Sequence, residues 1–290
     1  MTRSGKGALH DATRYLRYKA EDDAQPYARF FEPHTAPLQE HVLHSLAGGM
    51  APPEDAVELT DLPSALQRPA PLALETGWTR LHGRTYVSVL TRMPGVTAEM
   101  WDWWFGWHST ESARYKLWHP DAHQFASIAE DRSVMASLSD RQRYIDNVSF
   151  VDEYIGGRLQ RLAIRFLAPG RLGFVDRPGH TYICARIGFS QMPLDFGWLV
   201  HQVRPTADGT EMRSRFVLND VAIATPLRRP DAAGPGHRGR ALTATLRMPA
   251  TLTRPALPRT LGPDLLHHCA AEMNHLARFL PALYQAIRSS

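Results

Sequence analysis

The sequence predicts an α+β fold in which a curved antiparallel sheet grips one long C-terminal helix, with a smaller N-terminal mixed portion ahead of it. Three observations carry this. Five strand-like runs, 143–155, 158–168, 179–189, 196–206 and 210–220, follow one another with short connections, as an antiparallel sheet requires. The last two are joined by Ala207-Asp208-Gly209, a good hairpin turn. Residues 264–288 then place Leu265, Cys269, Leu276, Phe279, Leu280 and Leu283 at helical spacing, with Pro263 just ahead as a helix start. A sheet curled around one helix leaves a cavity between them, which is the helix-grip arrangement.

The elements divide the chain into an extension and connector, 1–73, and a helix-grip domain, 74–290. Residues 1–73 are polar and proline-punctuated, with helical fragments near 11–20 and 36–48. Pro52 to Pro71 reads as a connector over the surface. Residues 74–92 read as a hairpin that turns at His82-Gly83, with Thr85, Val87 and Val89 on one face and Tyr86, Ser88 and Leu90 on the other. From Thr97 the pattern becomes helical and aromatic, with Met100, Trp101, Trp103, Trp104, Phe105 and Trp107. That run suits core packing and one wall of a pocket for a flat ligand equally well. Residues 225–241 read as a mobile loop, and 249–263 hold four prolines that lead into the last helix.

Composition narrows the function classes. Of 33 basic residues only Lys6, Lys19 and Lys116 are lysine, and no dense basic run carries interleaved aromatics. The charge of +4 therefore reads as an arginine bias and not as nucleic-acid binding. No stretch approaches the roughly 20 apolar residues a membrane helix needs, and Met1 to Tyr15 lacks an apolar signal segment. The Ser-Gly-Lys-Gly run at 4–7 lacks the rest of a phosphate loop. Two cysteines, Cys184 and Cys269, make no disulfide framework and fit a reducing, cytoplasmic compartment. The aromatic-rich region would serve a homodimer interface as readily as a pocket.

The chemistry-bearing residues lie on three segments. His268 and Glu272, spaced i, i+4, share one helix face with Leu265 and Leu276. A carboxylate inside an apolar stripe must be paired or hold a metal. A buried His–Glu hydrogen bond is the plainer reading of that pair, and His267 and His275 fall off the face. His119 and His123 flank a proline turn. Glu153 shares a strand face with Val151 and Ile155, pointing inward, whereas Asp152 points to water. His201 alternates with Leu199 and Val203 and also faces inward. Arg213 and Arg215 share the opposite face, where Glu211 or Asp220 are candidate partners.

Four motifs carry a family resemblance. Trp103-Trp104-Phe105-Gly106-Trp107-His108 leads to Arg114-Tyr115 and Leu117-Trp118-His119-Pro120 through His123. Gly209-Thr210-Glu211-Met212-Arg213-Ser214-Arg215-Phe216 follows, then His268-Cys269, Glu272-Met273, Leu276 and Phe279-Leu280-Pro281. Over roughly 75–285 the chain resembles the diacetylphloroglucinol hydrolase family, which includes phloretin hydrolases. The resemblance implies a Bet v 1-like helix-grip domain and a zinc-dependent hydrolase that cleaves a carbon–carbon bond between an acyl group and a phenolic ring. It puts the metal ligands on His123, Glu153, His268 and Glu272; nitrogen and oxygen donors also suit manganese or iron. Four protein ligands leave two alternatives, a five-coordinate metal or one carboxylate, such as Glu153, acting as a base.

The resemblance also makes Tyr115 a phenol-contacting residue. His201, inward by alternation, is a candidate proton shuttle or a buried histidine satisfied by a backbone partner. Trp104 and Trp107 are candidate pocket walls. Two positions depart from the family pattern: Ala126 stands where an asparagine is expected, and Phe216 where a second tyrosine is. Both changes remove groups that would hold phenol hydroxyls. A less hydroxylated, larger or more apolar aromatic or polyketide substrate fits better than phloroglucinol. A zinc-dependent cyclase or isomerase on the same scaffold, and a non-catalytic binding protein for an apolar small molecule, remain alternatives.

Overall fold

A computed structural model describes residues 14–224, 246–247 and 258–289. The strands are β1 (Gly77–Leu81), β2 (Arg84–Pro94), β3 (His123–Ile128), β4 (Val148–Ile155), β5 (Arg158–Leu167), β6 (Thr181–Phe189), β7 (Leu194–Pro205), β8 (Gly209–Ile223) and β9 (Leu246–Arg247). The helices are α1 (Glu40–Gly48), α2 (Leu62–Leu66), α3 (Ala98–Trp107), α4 (Ser112–Lys116), α5 (Asp140–Tyr144), α6 (Leu261–Ala277) and α7 (Leu280–Arg288). The reading of 225–241 as a loop lies outside the described residues.

One antiparallel sheet runs β1-β2-β8-β7-β6-β5-β4-β3, with β9 pairing the end of β8. Strands β3 to β8 follow one another as a meander, and the β1–β2 hairpin closes on β8. His82 and Gly83 turn that hairpin with φ of 50° and 74°, the two left-handed positions of a tight primed turn. Side chains alternate faces along each strand. The inner face, with Val87, Leu199, Ile183 and Leu162, packs with α3 and α6 in the main core. The antiparallel sheet and its C-terminal helix are therefore as the sequence predicts.

Several expectations need correction. The last helix is broken: α6 ends at Ala277 and α7 starts at Leu280, because Pro281 has no N–H and its ring would strike the preceding turn. Pro263 lies inside the first turn of α6, where its missing N–H costs nothing. The run 143–155 is strand only from Val148. Before it, Ser139 and Gln142 form a reciprocal capping box that starts α5. Residues 14–19 are not helical, a 3-10 turn follows at Ala20–Ala24, and α1 begins only at Glu40.

The opposite sheet face is not bare. Leu62 and Leu66 of α2 bury a second cluster there with Tyr86, Tyr182, Val200 and Val217. Arg213 and Arg215 lie on this face, fully or nearly fully buried, and both pair with Glu75 and not with Glu211 or Asp220. The segment before β1 thus covers the sheet and supplies the counter-charge. Asp152 is also buried, at 3% exposure, because Arg14 folds over it with a 2.7 Å contact.

Candidate metal centre and cavity

Three elements converge in the space between α6 and the inner face. On α6, one turn separates His268 and Glu272, and both side chains are buried. On β4, period-2 alternation turns Ser149, Val151, Glu153 and Ile155 into the same space. His123 opens β3 directly opposite Glu153. A bulge between His123 and Phe125 and a hydrogen bond from the His123 N–H to the His119 carbonyl aim its ring inward.

The donor atoms lie close together. His123 Nε2 is 3.3 Å from Glu272 Oε2 and 3.7 Å from Glu153 Oε2. His268 Nε2 is 3.8 Å from Glu272 Oε2 and 3.8 Å from Glu153 Oε1. Ligands at zinc distances on a tetrahedron lie about 3.4 Å apart. Among the described residues, His123, His268 and Glu272 form the one group of three whose donor atoms gather tightly enough to hold a metal ion. Glu153 faces the same point, and the Tyr115 hydroxyl donates to its Oε2.

Both imidazoles are prepared as ligands. His123 donates through Nδ1 to the Tyr115 carbonyl at 2.9 Å, which leaves the Nε2 lone pair facing the carboxylates. That Nε2 is buried without a hydrogen-bond partner. His268 has a backbone hydrogen bond at Tyr154. Burial, with His268 and His119 next to it, holds His123 well below the usual histidine range, and burial also lowers His268. Burial and the neighbouring Glu153 push Glu272 well above the usual carboxylate range. Two carboxylates and two imidazoles gathered in a buried space are a donor set that fits a divalent ion.

The cavity beside this cluster has a volume of about 160 Å³. Its wall is mainly apolar, with Ile164, Phe166, Ile187, Phe189, Phe196 and Phe216 along the sheet. Its polar groups are Tyr115, His108, Ser149 and His201, besides Glu153, His268 and Glu272, with Arg158 and Gln160 on β5 and Thr260 and Asp264 at the start of α6. Burial, then Glu153 and Glu272, raise the Tyr115 phenol well above its ordinary value, so it keeps its proton. His201 stands opposite Ser214 and meets its Oγ at 2.7 Å; burial lowers it to about 3, so its ring is neutral.

The sequence-predicted residues sort as follows. His123, Glu153, His268, Glu272 and Tyr115 are brought together, and His201 and Phe216 line the same cavity. Trp104, Trp107 and Ala126 are not among its lining residues. Trp104 is fully buried and stacks on His108, Trp107 stacks on Trp103, and Ala126 bonds through its backbone to Ser112. The aromatic run therefore builds the core behind the cavity, while Phe105 and Trp118 reach the wall. His119 stays outside the donor group, bonded to Thr35 Oγ1 at 2.7 Å and stacked on His268. Sequence reading missed His108 and Ser149. The alternation that selected Glu153 also selects Ser149, four residues earlier on the same face.

A large antiparallel sheet wrapped on a helix, with a buried histidine–carboxylate cluster beside the cavity, defines a helix-grip protein with a candidate metal centre. The model of the DAPG hydrolase PhiG domain matches residues 58–285, and the chain belongs to that hydrolase family. The chain is similar to the 2,4-diacetylphloroglucinol hydrolase of Pseudomonas protegens, 30% identical over 279 residues that cover 93% of this chain and 87% of that one. It is also similar to the phloretin hydrolase of Eubacterium ramulus, 28% identical over 276 residues, 91% of each chain. Among solved structures, Ara h 8.0201 matches 69% of this chain and 99% of its own at 10% identity, with a TM-score of 0.37. No helix among the described residues is long and apolar enough to cross a membrane.

Proposed function

We propose that this protein is a divalent-metal-dependent hydrolase that cleaves the carbon–carbon bond between an acyl group and a phenolic or polyketide-like ring. The observation that carries the reading is the meeting of His123, His268, Glu272 and Glu153 beside an apolar cavity, with His123 Nε2 buried and without a hydrogen-bond partner. The named activities of the two relatives, on diacetylphloroglucinol and on phloretin, support the substrate class. Zinc suits two imidazoles and carboxylate oxygens, and manganese or iron would fit the same donors. Such an ion supplies Lewis acidity, polarising a carbonyl and making water a nucleophile near neutral pH.

The reaction adds water across the aryl–acyl bond: hydroxyl goes to the acyl carbon and a proton to the ring carbon. His123, His268 and Glu272 would hold the ion. Glu153, opposite them, takes or returns the proton of the attacking water. Tyr115 donates to Glu153, orients it, and stays protonated beside the substrate carbonyl. His201, hydrogen-bonded to Ser214 and neutral, is not a standing acid. The apolar wall, with Phe216 in it, excludes water and favours an apolar ring substituent. Cys184 and Cys269 are free and buried in different core clusters, which supports a reducing, cytoplasmic setting.

Incubation with a panel of acylphenols, read by mass spectrometry, tests the proposal. A free carboxylic acid and a deacylated phenol are expected. A product of unchanged mass would replace hydrolysis with isomerisation or cyclisation, and ligand binding without turnover would leave a carrier.

A further inference from the structure

The cavity holds a second polar feature that the hydrolytic centre does not use. Ser149 sits four residues before Glu153 on the inner face of β4, about 13 Å along the strand at the usual rise per residue. Its Oγ is 2.8 Å from Ser109 Oγ, and Ser109 Oγ is 3.2 Å from His108 Nε2. The His108 Nδ1 lies 2.8 Å from the Trp104 carbonyl. All three side chains are at least 97% buried, and His108 and Ser149 line the cavity.

The direction of this chain follows from its last link. A carbonyl only accepts, so His108 Nδ1 carries a proton. Burial lowers His108 to about 4, so the ring is neutral and Nε2 is an acceptor. Ser109 must then give its single hydroxyl proton to Nε2, and Ser149 must give its own to Ser109. Both protons are committed away from the cavity. What Ser149 has left to offer a ligand is lone pairs.

We propose that Ser149 Oγ, fixed as a pure acceptor by Ser109 and His108, is a specificity subsite for a hydroxyl donor on the substrate, at a distance from the metal-facing end. It would select a free phenol over its ether. The subsite also accounts for how a phenol is held where Ala126 and Phe216 provide no hydrogen bond. This deepens the acylphenol reading and rests on substrate entering the cavity with its carbonyl toward Glu153. An acceptor that far along the strand calls for a hydroxyl remote from the acyl carbonyl, on a para position or on a second ring.

The test is a binding measurement, so it stands apart from turnover. Tryptophan fluorescence is titrated with 4-hydroxyaryl ketones of increasing chain length and with their 4-methoxy ethers. The wild type is expected to bind at least one phenol about 10-fold more tightly than its ether, the scale of one hydrogen bond to a buried acceptor. Ser149→Ala should abolish the preference. Ser109→Ala, which frees the Ser149 proton to meet an ether oxygen, should shrink it while leaving ether binding unchanged or tighter. A preference that survives intact in Ser149→Ala, or no preference in the wild type, overturns the subsite. Failure of the hydrolytic reading shows separately, as tight binding with no acid released.

Discussion

At the scale of single residues, function begins with charges that water cannot reach. Glu272 and Glu153 lie near each other in a buried space, and burial, with Glu153 alongside, raises Glu272 well above the usual carboxylate range. Tyr115 stacks flat on His123 with ring centroids 3.7 Å apart, and its hydroxyl is bound to Glu153. Tyr115→Phe keeps the stack and removes the hydroxyl. It should lower kcat by about 100-fold, a typical general acid–base contribution, with metal content unchanged. Equal turnover in the variant would remove Tyr115 from the chemistry. His268 and Glu272 were legible in the sequence because helical spacing alone places them together. Glu153 followed from strand alternation. His119 and His123 were both candidates around Pro120, and only the family resemblance chose His123, since a bulge and a turn set its aim and neither leaves a periodic trace. Ser149 was equally legible as Glu153, but a serine on an inner face signals nothing until its partners are known.

At the scale of elements, a charged latch joins the segment before β1 to the sheet. Glu75 receives Arg213 and Arg215, with Arg213 Nε at 3.0 Å, and Leu72 N–H donates to it as well. Although burial opposes ionisation, these partners lower Glu75 to about 2. The folded value is depressed, so the stabilisation is present above the unfolded carboxylate value and is lost as pH falls from about 4.5 toward 2. Glu75→Gln should cost about 3 kcal/mol at pH 7, as expected when a buried pair loses one partner. The difference from wild type in urea unfolding should shrink as pH drops through that window. A pH-independent difference would contradict the latch. A second joint lies where Gly156, at φ 57°, meets the Asp264 carboxylate on the first turn of α6: a Cβ there would come within 2.2 Å. Gly156→Ala should therefore destabilise the fold by about 1–3 kcal/mol, measured by thermal unfolding; an unchanged midpoint would mean that the hairpin and helix yield freely. The main strands were readable from alternation and turns. β3 was not, since His123–Ile128 is short and bulged, and apolar spacing running through Leu276 and Leu280 masked the break at Pro281.

For the whole molecule, the N-terminal segment is structural. Tyr27 and Val42 belong to the main core, and Leu62 and Leu66 to the second one. It also braces the helix that carries the candidate ligands: the Ala36 N–H donates to His275 Nδ1 at 3.1 Å, and Asn274 donates to the Pro37 carbonyl at 2.6 Å. A chain starting at residue 74 should fail to unfold cooperatively, whereas a full-length-like melting curve would show that the sheet and helix need no cover. Sequence polarity concealed this role, because the few apolar residues of the segment are spaced too irregularly to show a face. All of the proposed chemistry runs through the His123, His268 and Glu272 site, so its metal content is the direct test. Elemental analysis of the purified protein, alongside Glu272→Ala checked for native circular dichroism, should give about one divalent ion per chain in the wild type. The variant should show loss of both the ion and acylphenol hydrolysis. A metal-free wild type with full hydrolytic activity, or a Glu272→Ala chain with unchanged metal and turnover, would contradict it.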